Sequence, residues 1–392
     1  MIGLNEKTVY LIFQLIRCAL TDGRLSDADR ESLTEEMLAD ILTVSHKQDL
    51  AHLVGVGLHK NGLPDKESAT YEPFQLLQIK AVYRYEPLNF EYNRLCEVLE
   101  SLEVPFLPLK GSVIRQLYPE PWMRTSCDID ILVPEAQLKK AADYLITHCG
   151  YSLAGKTTHD ISVMAPGGQH IELHYQLIEK DWVAAANEML KQVWEHTAPK
   201  EGFSFWQEMT DEMFYYYHIA HMAKHYEHGG CGLRPFVDLW LLDRMPGADK
   251  DRRDRFLEKG NLLRFANAMR QLVRVWMNGE PLDWITEQMQ EFIVAGGTYG
   301  SRKNHIAVQQ QKRGGRFGYI FSKIILPYDV LKTHYRILYK HRWLTPVMQV
   351  RRWCKLLFCG HMDRVTRDMR HNSSISKSQA EELKQLLQDI GL

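Results

Sequence analysis

The run Cys127-Asp128-Ile129-Asp130-Ile131-Leu132-Val133 constrains the fold of this chain more than any other stretch. Successive side chains of a strand point to opposite faces, so Asp128 and Asp130 share one face while Ile129 and Ile131 share the other. Such a segment belongs in a sheet with one apolar face covered and one acidic face open. The flanking sequence supports a sheet. Val104 to Leu109 is a short apolar run whose Pro105 and Pro108 suit an edge strand, and it ends in Lys110-Gly111-Ser112. Val113, Ile114 and Leu117 supply one face of a short helix that Tyr118-Pro119-Glu120-Pro121 stops. Pro134-Glu135 opens a helix with the stripe Leu138, Ala141, Ala142 and Leu145, and Gly150 closes it. Strands are expected at 160–165 and 169–176, joined by the turn Pro166-Gly167-Gly168. In the second, Ile171, Leu173 and Tyr175 share one face, and Glu172 and His174 the other.

Helical spacing dominates elsewhere. Ile12, Leu15, Ile16 and Leu20, then Leu95, Val98, Leu99 and Leu102, mark helices before residue 100. A helix from Asp211 toward His228, another at Leu239 to Leu242, and a last one near 380–387 follow the strands. The plan is a small α/β unit embedded in helices. An ordinary apolar content without repeats excludes collagen, coiled coil and a wholly disordered chain. The longest apolar run, Val9 to Ile16, is broken by Gln14 and followed by Arg17, so it reads as an amphipathic helix; no transmembrane segment and no secretion signal is expected. Seven cysteines without a Cys-x-x-Cys spacing read as reduced thiols in a cytoplasm.

Forty-eight basic against 49 acidic side chains conceal a gradient. Ser301 to Arg370 holds 16 Lys and Arg against three acids, a balance of +13, and the remainder of the chain carries −14. A polyanionic partner, nucleic acid or membrane surface, is admitted by this region but not favoured, because Trp, Tyr and Leu are interleaved with the charges as in a packed helix.

Asp128 and Asp130 offer a pair of oxygen ligands to a hard divalent cation from one strand. Glu172 adds a third carboxylate from the polar face of a later strand, and such a cluster is costly unless Mg²⁺ or a basic group neutralises it. Upstream, Gly111 allows close backbone approach, while Ser112 and Lys110 add a hydroxyl and a positive charge suited to phosphate.

Leu109-Lys110-Gly111-Ser112, Asp128-Ile129-Asp130-Ile131-Leu132-Val133 and Ile171-Glu172-Leu173-His174, in that order, resemble the polymerase-beta-type nucleotidyltransferase superfamily. The string from Leu109 through Tyr118-Pro119 and Arg124 to Gly150-Tyr151 is similar to its large, poorly characterised bacterial branch, as are the later His221, Lys224, His225, Arg234 and Asp238. The resemblance implies an α+β fold: a small mixed-sheet core at 101–180, a helical region at 1–100, a helical domain lining the cleft at 181–300 and a basic helical region at 301–392. It implies transfer of a nucleoside monophosphate from an NTP, ATP among them, to an acceptor, with pyrophosphate released. Gly111 and Ser112 would hold the triphosphate, and Lys110 and Arg124 would contact phosphate. Asp128 and Asp130 would ligate two Mg²⁺, Mn²⁺ being the substitute, and Glu172 would complete the metal site and help deprotonate the acceptor. Two features depart from the common pattern: fifteen residues separate Ser112 from Asp128, and Lys110 stands where many relatives carry an apolar residue or another Gly.

His218, His221, His225 and His228 fall within one helical stripe and suit a hydrogen-bonded surface, a cleft wall opposite the carboxylates, or a metal site; His221 is not followed by the Glu that a zinc-protease motif needs. His174 reads as a structural neighbour of Glu172. Arg234 and Asp238, one turn apart, read most simply as a local salt bridge, with Arg234 otherwise a cleft residue. The expected activity is NMP transfer to an unidentified hydroxyl on a small molecule, sugar or protein. The alternatives are an inactive nucleotide-binding or regulatory protein on the same fold and an RNA-directed transferase. Nothing in the sequence speaks to the acceptor, the base or the oligomeric state.

Overall fold

The computed structural model describes residues 6–157, 160–177, 184–298, 300–358 and 362–392. The chain is mostly helical with a five-stranded mixed sheet, an α+β protein. It divides into two compact units, Met1–Lys224 with Leu233–Glu287, and His225–Gly232 with Gln288–Leu392. No helix among the described residues is long and apolar enough to cross a membrane.

In the first unit, α1 (Glu6–Leu20) is the Val9 to Ile16 helix; it is amphipathic, with Glu6, Tyr10 and Arg17 along its outer stripe and the rest of its length largely buried. The one polar side chain in that run, Gln14, donates to the Trp276 carbonyl at 3.1 Å, which removes the cost of burying it. α2 (Ala51–Lys60) crosses α1 at Gly57, where a Cβ would fall 2.0 Å from the Leu15 carbonyl oxygen. α3 (Tyr71–Ser101) turns Leu95 and Leu99 under the sheet.

The sheet runs β1 (Leu107–Pro108), β2 (Asp128–Leu132), β5 (His170–His174), β4 (Asp160–Met164) and β3 (Ser152–Lys156) in spatial order. β2 and β5 are parallel and every other pairing is antiparallel. β1 lies at the edge, as its prolines require. β3 has no counterpart in the apolar pattern, because it closes the other edge with four of its five residues exposed. α4 (Gly111–Ile114) follows β1, and α5 (Glu135–His148) follows β2. The lower face of the sheet carries Ile129, Ile131, Val163, Ile171 and Leu173, packed on Leu95 and Leu99 of α3 and on Leu138, Ala141 and Leu145 of α5. Each such side chain contributes about 1.5–3 kcal/mol of burial, so this face fixes the register and leaves the acids on the other.

A short hairpin, β6 (Thr197–Pro199) and β7 (Gln207–Met209), interrupts the stretch read as helical after residue 180. α6 (Asp211–Glu227), α7 (Arg234–Leu242) and α8 (Leu263–Asn278) follow, and Trp276 of α8 stacks on Phe13 of α1 with ring centroids 4.5 Å apart. The second unit holds α9 (Arg302–Lys312), α10 (Arg316–Ile324), α11 (Tyr328–His334), α12 (Thr345–Phe358) and α13 (Lys377–Ile390) among its helices.

Candidate active site

Parallel pairing of β2 with β5 sets Asp130 directly beside Glu172 and Leu132 beside His174. Side chains alternate along both strands, so Asp128, Asp130, Glu172 and His174 emerge on one face. One ligand atom each from Asp130, Glu172 and His174 lies within 4.8 Å of the others, a separation a single cation can span. Asp128, two residues earlier on β2, does not join the group at that distance.

The cluster carries its own counter-charges. His174 Nε2 lies 2.8 Å from Asp130 Oδ1 and 3.3 Å from Glu172 Oε2, and Lys110 Nζ lies 3.1 Å from the same Asp130 oxygen. Burial alone would raise the Asp130 carboxyl, but Lys110 and His174 hold it well below the usual carboxylate range. Burial alone would lower His174, yet its hydrogen bonds to Asp130 and Glu172 push it up to about 9, so it is an imidazolium near neutral pH. Lys110 is raised by Asp130 against the pull of burial. Asp128 is shifted the other way: burial and then the Asp130 charge raise its carboxyl. His174, read from sequence as a bystander, is therefore part of the group; its position two residues after Glu172 on one strand face was the available signal.

Lys110 adopts φ 46° and ψ −117°, a backbone conformation that costs a side-chain-bearing residue about 1–3 kcal/mol. The residue expected at phosphate is thus bent back onto Asp130. The helix after it is a single turn continued by a 3-10 turn at Arg115–Leu117, too short for a large macrodipole, so close backbone approach matters more there than the dipole. Arg115 donates to the Gly111 carbonyl at 2.9 Å and to the Ser126 hydroxyl, tying both ends of the long loop together. No described residue hydrogen-bonds the hydroxyl of Ser112.

That loop is anchored by a buried clamp. Arg124 donates through Nε and Nη2 to the two Asp238 oxygens at 2.9 and 2.8 Å, and the Tyr118 hydroxyl donates to Asp238 at 2.8 Å. Burial would raise the Asp238 carboxyl, and Arg124 holds it below its ordinary value. The third Arg124 nitrogen reaches the Lys110-Gly111-Ser112 loop: a Cβ on Gly111 would stand 2.5 Å from Nη1. The local Arg234–Asp238 bridge does not form. Asp238 is taken by Arg124, and Arg234 Nη1 bonds Asp49 at 3.2 Å and the Thr125 carbonyl at 3.0 Å. Arg234 therefore fastens the same loop at the residue after Arg124. Neither Asp49 nor the Arg124–Asp238 pairing had any sequence signal, since the partners lie 185 and 114 residues away.

The histidine stripe divides. His218 is a core residue bonded to the Pro235 carbonyl at 3.0 Å and lowered by burial. His221 sits one turn from Tyr217, whose ring is 6.2 Å away. His225 falls in the second unit, as does His228, whose ring stacks on His305.

No curated relative and no solved structure matches the chain. A family model for uncharacterised nucleotidyltransferases matches residues 35–278, well over half the chain, including the loop after β1, the acidic face of β2 and β5, and the Arg124–Asp238 clamp. On that match the protein belongs to this uncharacterised nucleotidyltransferase family of the polymerase-beta-like superfamily.

Proposed function

We propose that the protein is an Mg²⁺-dependent nucleotidyltransferase that moves a nucleoside monophosphate from an NTP to a hydroxyl acceptor and releases pyrophosphate. The observation that carries this reading is the juxtaposition of Asp130, Glu172 and His174 across the parallel pair, beside Asp128 and the Lys110-Gly111-Ser112 loop. Three carboxylates on one face suit a hard cation, and His174 Nε2, beside Asp130 and Glu172, serves them as a counter-charge while no cation is bound. Asp128, Asp130 and Glu172 would hold Mg²⁺, or Mn²⁺ in its place, two ions being expected, and the bound cation supplies charge stabilisation at the α-phosphorus.

The chain's own groups do the rest. Gly111 leaves room for the triphosphate to approach the backbone, and Ser112 donates its hydroxyl to a phosphate oxygen. Arg124, held by Asp238, presents Nη1 to the same loop as a fixed positive charge. With a cation neutralising Asp130, the Lys110 ammonium would be available to the phosphates. Glu172 accepts the acceptor's proton, and His174 keeps the Glu172 carboxylate oriented.

One observation favours a second reading. Asp130 is already neutralised by Lys110 and His174, the arrangement a nucleotide-binding protein without transfer activity would keep. Pyrophosphate release from each common NTP, with Mg²⁺ or Mn²⁺ and with or without a metabolite extract, separates the two. Release that needs the extract and vanishes in Asp128→Ala/Asp130→Ala is the expected outcome. NTP binding without release under all conditions supports the second reading, and equal release by the double mutant overturns the first.

A further inference from the structure

Segment 313–355 of the second unit differs from the other described residues in what it leaves outside. Ten of the eighteen large apolar side chains exposed among the described residues fall between Phe317 and Val350, under a tenth of the chain. The local core beneath them is small, with Leu331, Leu338 and Met348 fully buried. Single exposed apolar residues are ordinary on a soluble protein, but a concentration of this kind marks an interaction surface.

The exposed residues are patterned. Phe317, Phe321 and Ile324 recur at helical spacing along α10, with Phe317 at 87% and Phe321 at 63% exposure. Trp343, Val347 and Val350 repeat that spacing from the turn before α12 into the helix, with Trp343 at 75%. The two stripes are joined: Arg352 Nη1 and Trp353 Nε1 both donate to the Ile324 carbonyl, at 3.1 and 2.7 Å, and Arg352 Nη2 donates to the Lys323 carbonyl at 2.8 Å. Both are amphipathic faces of one fastened piece.

Its charge has a single sign. Between 313 and 355 stand ten Lys and Arg and one acid, Asp329, which Lys332 pairs at 2.7 Å. Arg336, Lys340, Arg342 and Arg351 are exposed and have no carboxylate partner among the described residues, and Arg342 and Arg351 lie over the rings of Tyr328 and Tyr335 at 4.7 and 5.9 Å. An aromatic and aliphatic stripe bordered by exposed cations that no carboxylate neutralises is the composition that lies flat in a bilayer interface: apolar side chains enter the headgroup boundary, Trp and Tyr sit at its level, and Lys and Arg meet lipid phosphates. A nucleic acid would match the charge and could stack on Phe317 or Trp343, but it would leave Ile324, Val347 and Val350 without partners. We propose that this face docks the protein on an anionic membrane surface. The residues involved are separate from those of the candidate active site, so the two readings stand or fall independently.

The test is co-sedimentation of the full chain with phosphatidylcholine vesicles and with vesicles doped with phosphatidylglycerol. Binding to the doped vesicles alone, weakened by salt, is expected. Phe317→Ser/Phe321→Ser should lose at least tenfold in affinity, and Lys340→Gln/Arg342→Gln should lose affinity and salt dependence together, each with the wild-type thermal midpoint. A readout that needs no destabilising variant is quenching of Trp343 by brominated lipid, taken as the difference between wild type and Trp343→Phe. No binding to anionic vesicles, or binding that Phe317→Ser/Phe321→Ser leaves unchanged with Trp343 unquenched, overturns the proposal. Salt-sensitive RNA binding, or a dimer that Phe317→Ser/Phe321→Ser disrupts, in either case without vesicle binding, also overturns it and names the occupant.

Discussion

The acidic face of the sheet and the 313–355 segment both concentrate charge, and they handle it in opposite ways. At the sheet, Asp130 is 4% exposed, Lys110 and His174 are held to it at 3.1 and 2.8 Å, and Glu172 stands directly beside it across the parallel pair. Asp238 is met by Arg124 and Tyr118 in the same fashion. In the 313–355 segment, Arg336, Lys340, Arg342 and Arg351 face water without a carboxylate partner among the described residues. Buried charges are costly unless paired, so the first arrangement exists only because strand register and long-range packing force it. Exposed like charges cost little, so the second needs no such scaffold and remains free to meet an outside partner.

Substitutions sharpen that contrast. Asp130→Ala should lower NTP-dependent pyrophosphate release by about 10³-fold or more, since the lost contact acts on charge formed in the transition state; normal turnover would remove the sheet from the chemistry. Asp238→Ala should cost about 3–5 kcal/mol of stability in denaturant unfolding, because it strands the buried Arg124 guanidinium. The double variant Arg124→Met/Asp238→Leu should recover most of that loss. A single change costing under 1 kcal/mol would show that the clamp behaves like a surface pair.

pH probes the same difference. His174 is raised from 6.5 to about 9, so its contribution is complete below pH 6.5 and is lost as pH rises through about 9. Stability in the presence of a chelator should fall across that window by on the order of 3 kcal/mol, and His174→Gln should flatten the alkaline limb. Gly111→Ala should cost about 1 kcal/mol, because Arg124 Nη1 is tethered by Asp238 and cannot yield freely. The smallest effect belongs to the other region: Lys340→Gln/Arg342→Gln should leave the unfolding free energy within about 0.5 kcal/mol of wild type.

The parts of this site that were legible in the sequence are those written in short periods. Alternation at 127–133 and 169–176 placed the acids and the apolar face, the two prolines of 104–109 placed an edge, and the Gly111-Ser112 step placed the loop. What escaped depends on contacts that no local pattern encodes. Adjacency of Asp130 and Glu172 is a matter of which strands pair and in what register. The turning of Lys110 toward Asp130 rests on a positive φ that a lysine is not expected to adopt. Pairing of Arg124 with Asp238 overrode the nearer Arg234 because burial of the Tyr118 loop brought the longer-range partner within reach. β3 was invisible for the opposite reason: with little to bury, Ser152–Lys156 had no hydrophobic period to read.

The Arg124–Asp238 clamp also orders events during synthesis. All five strands of the sheet lie between residues 107 and 174, and the acids meet as soon as β5 can pair with β2. Asp238 arrives 114 residues after Arg124, so a nascent chain can complete its sheet while the arginine beside Gly111 still lacks its anchor. The loop is therefore the last part of the site to be fastened, and a chain interrupted before α7 would carry the acidic face without the arm that organises the residues opposite it.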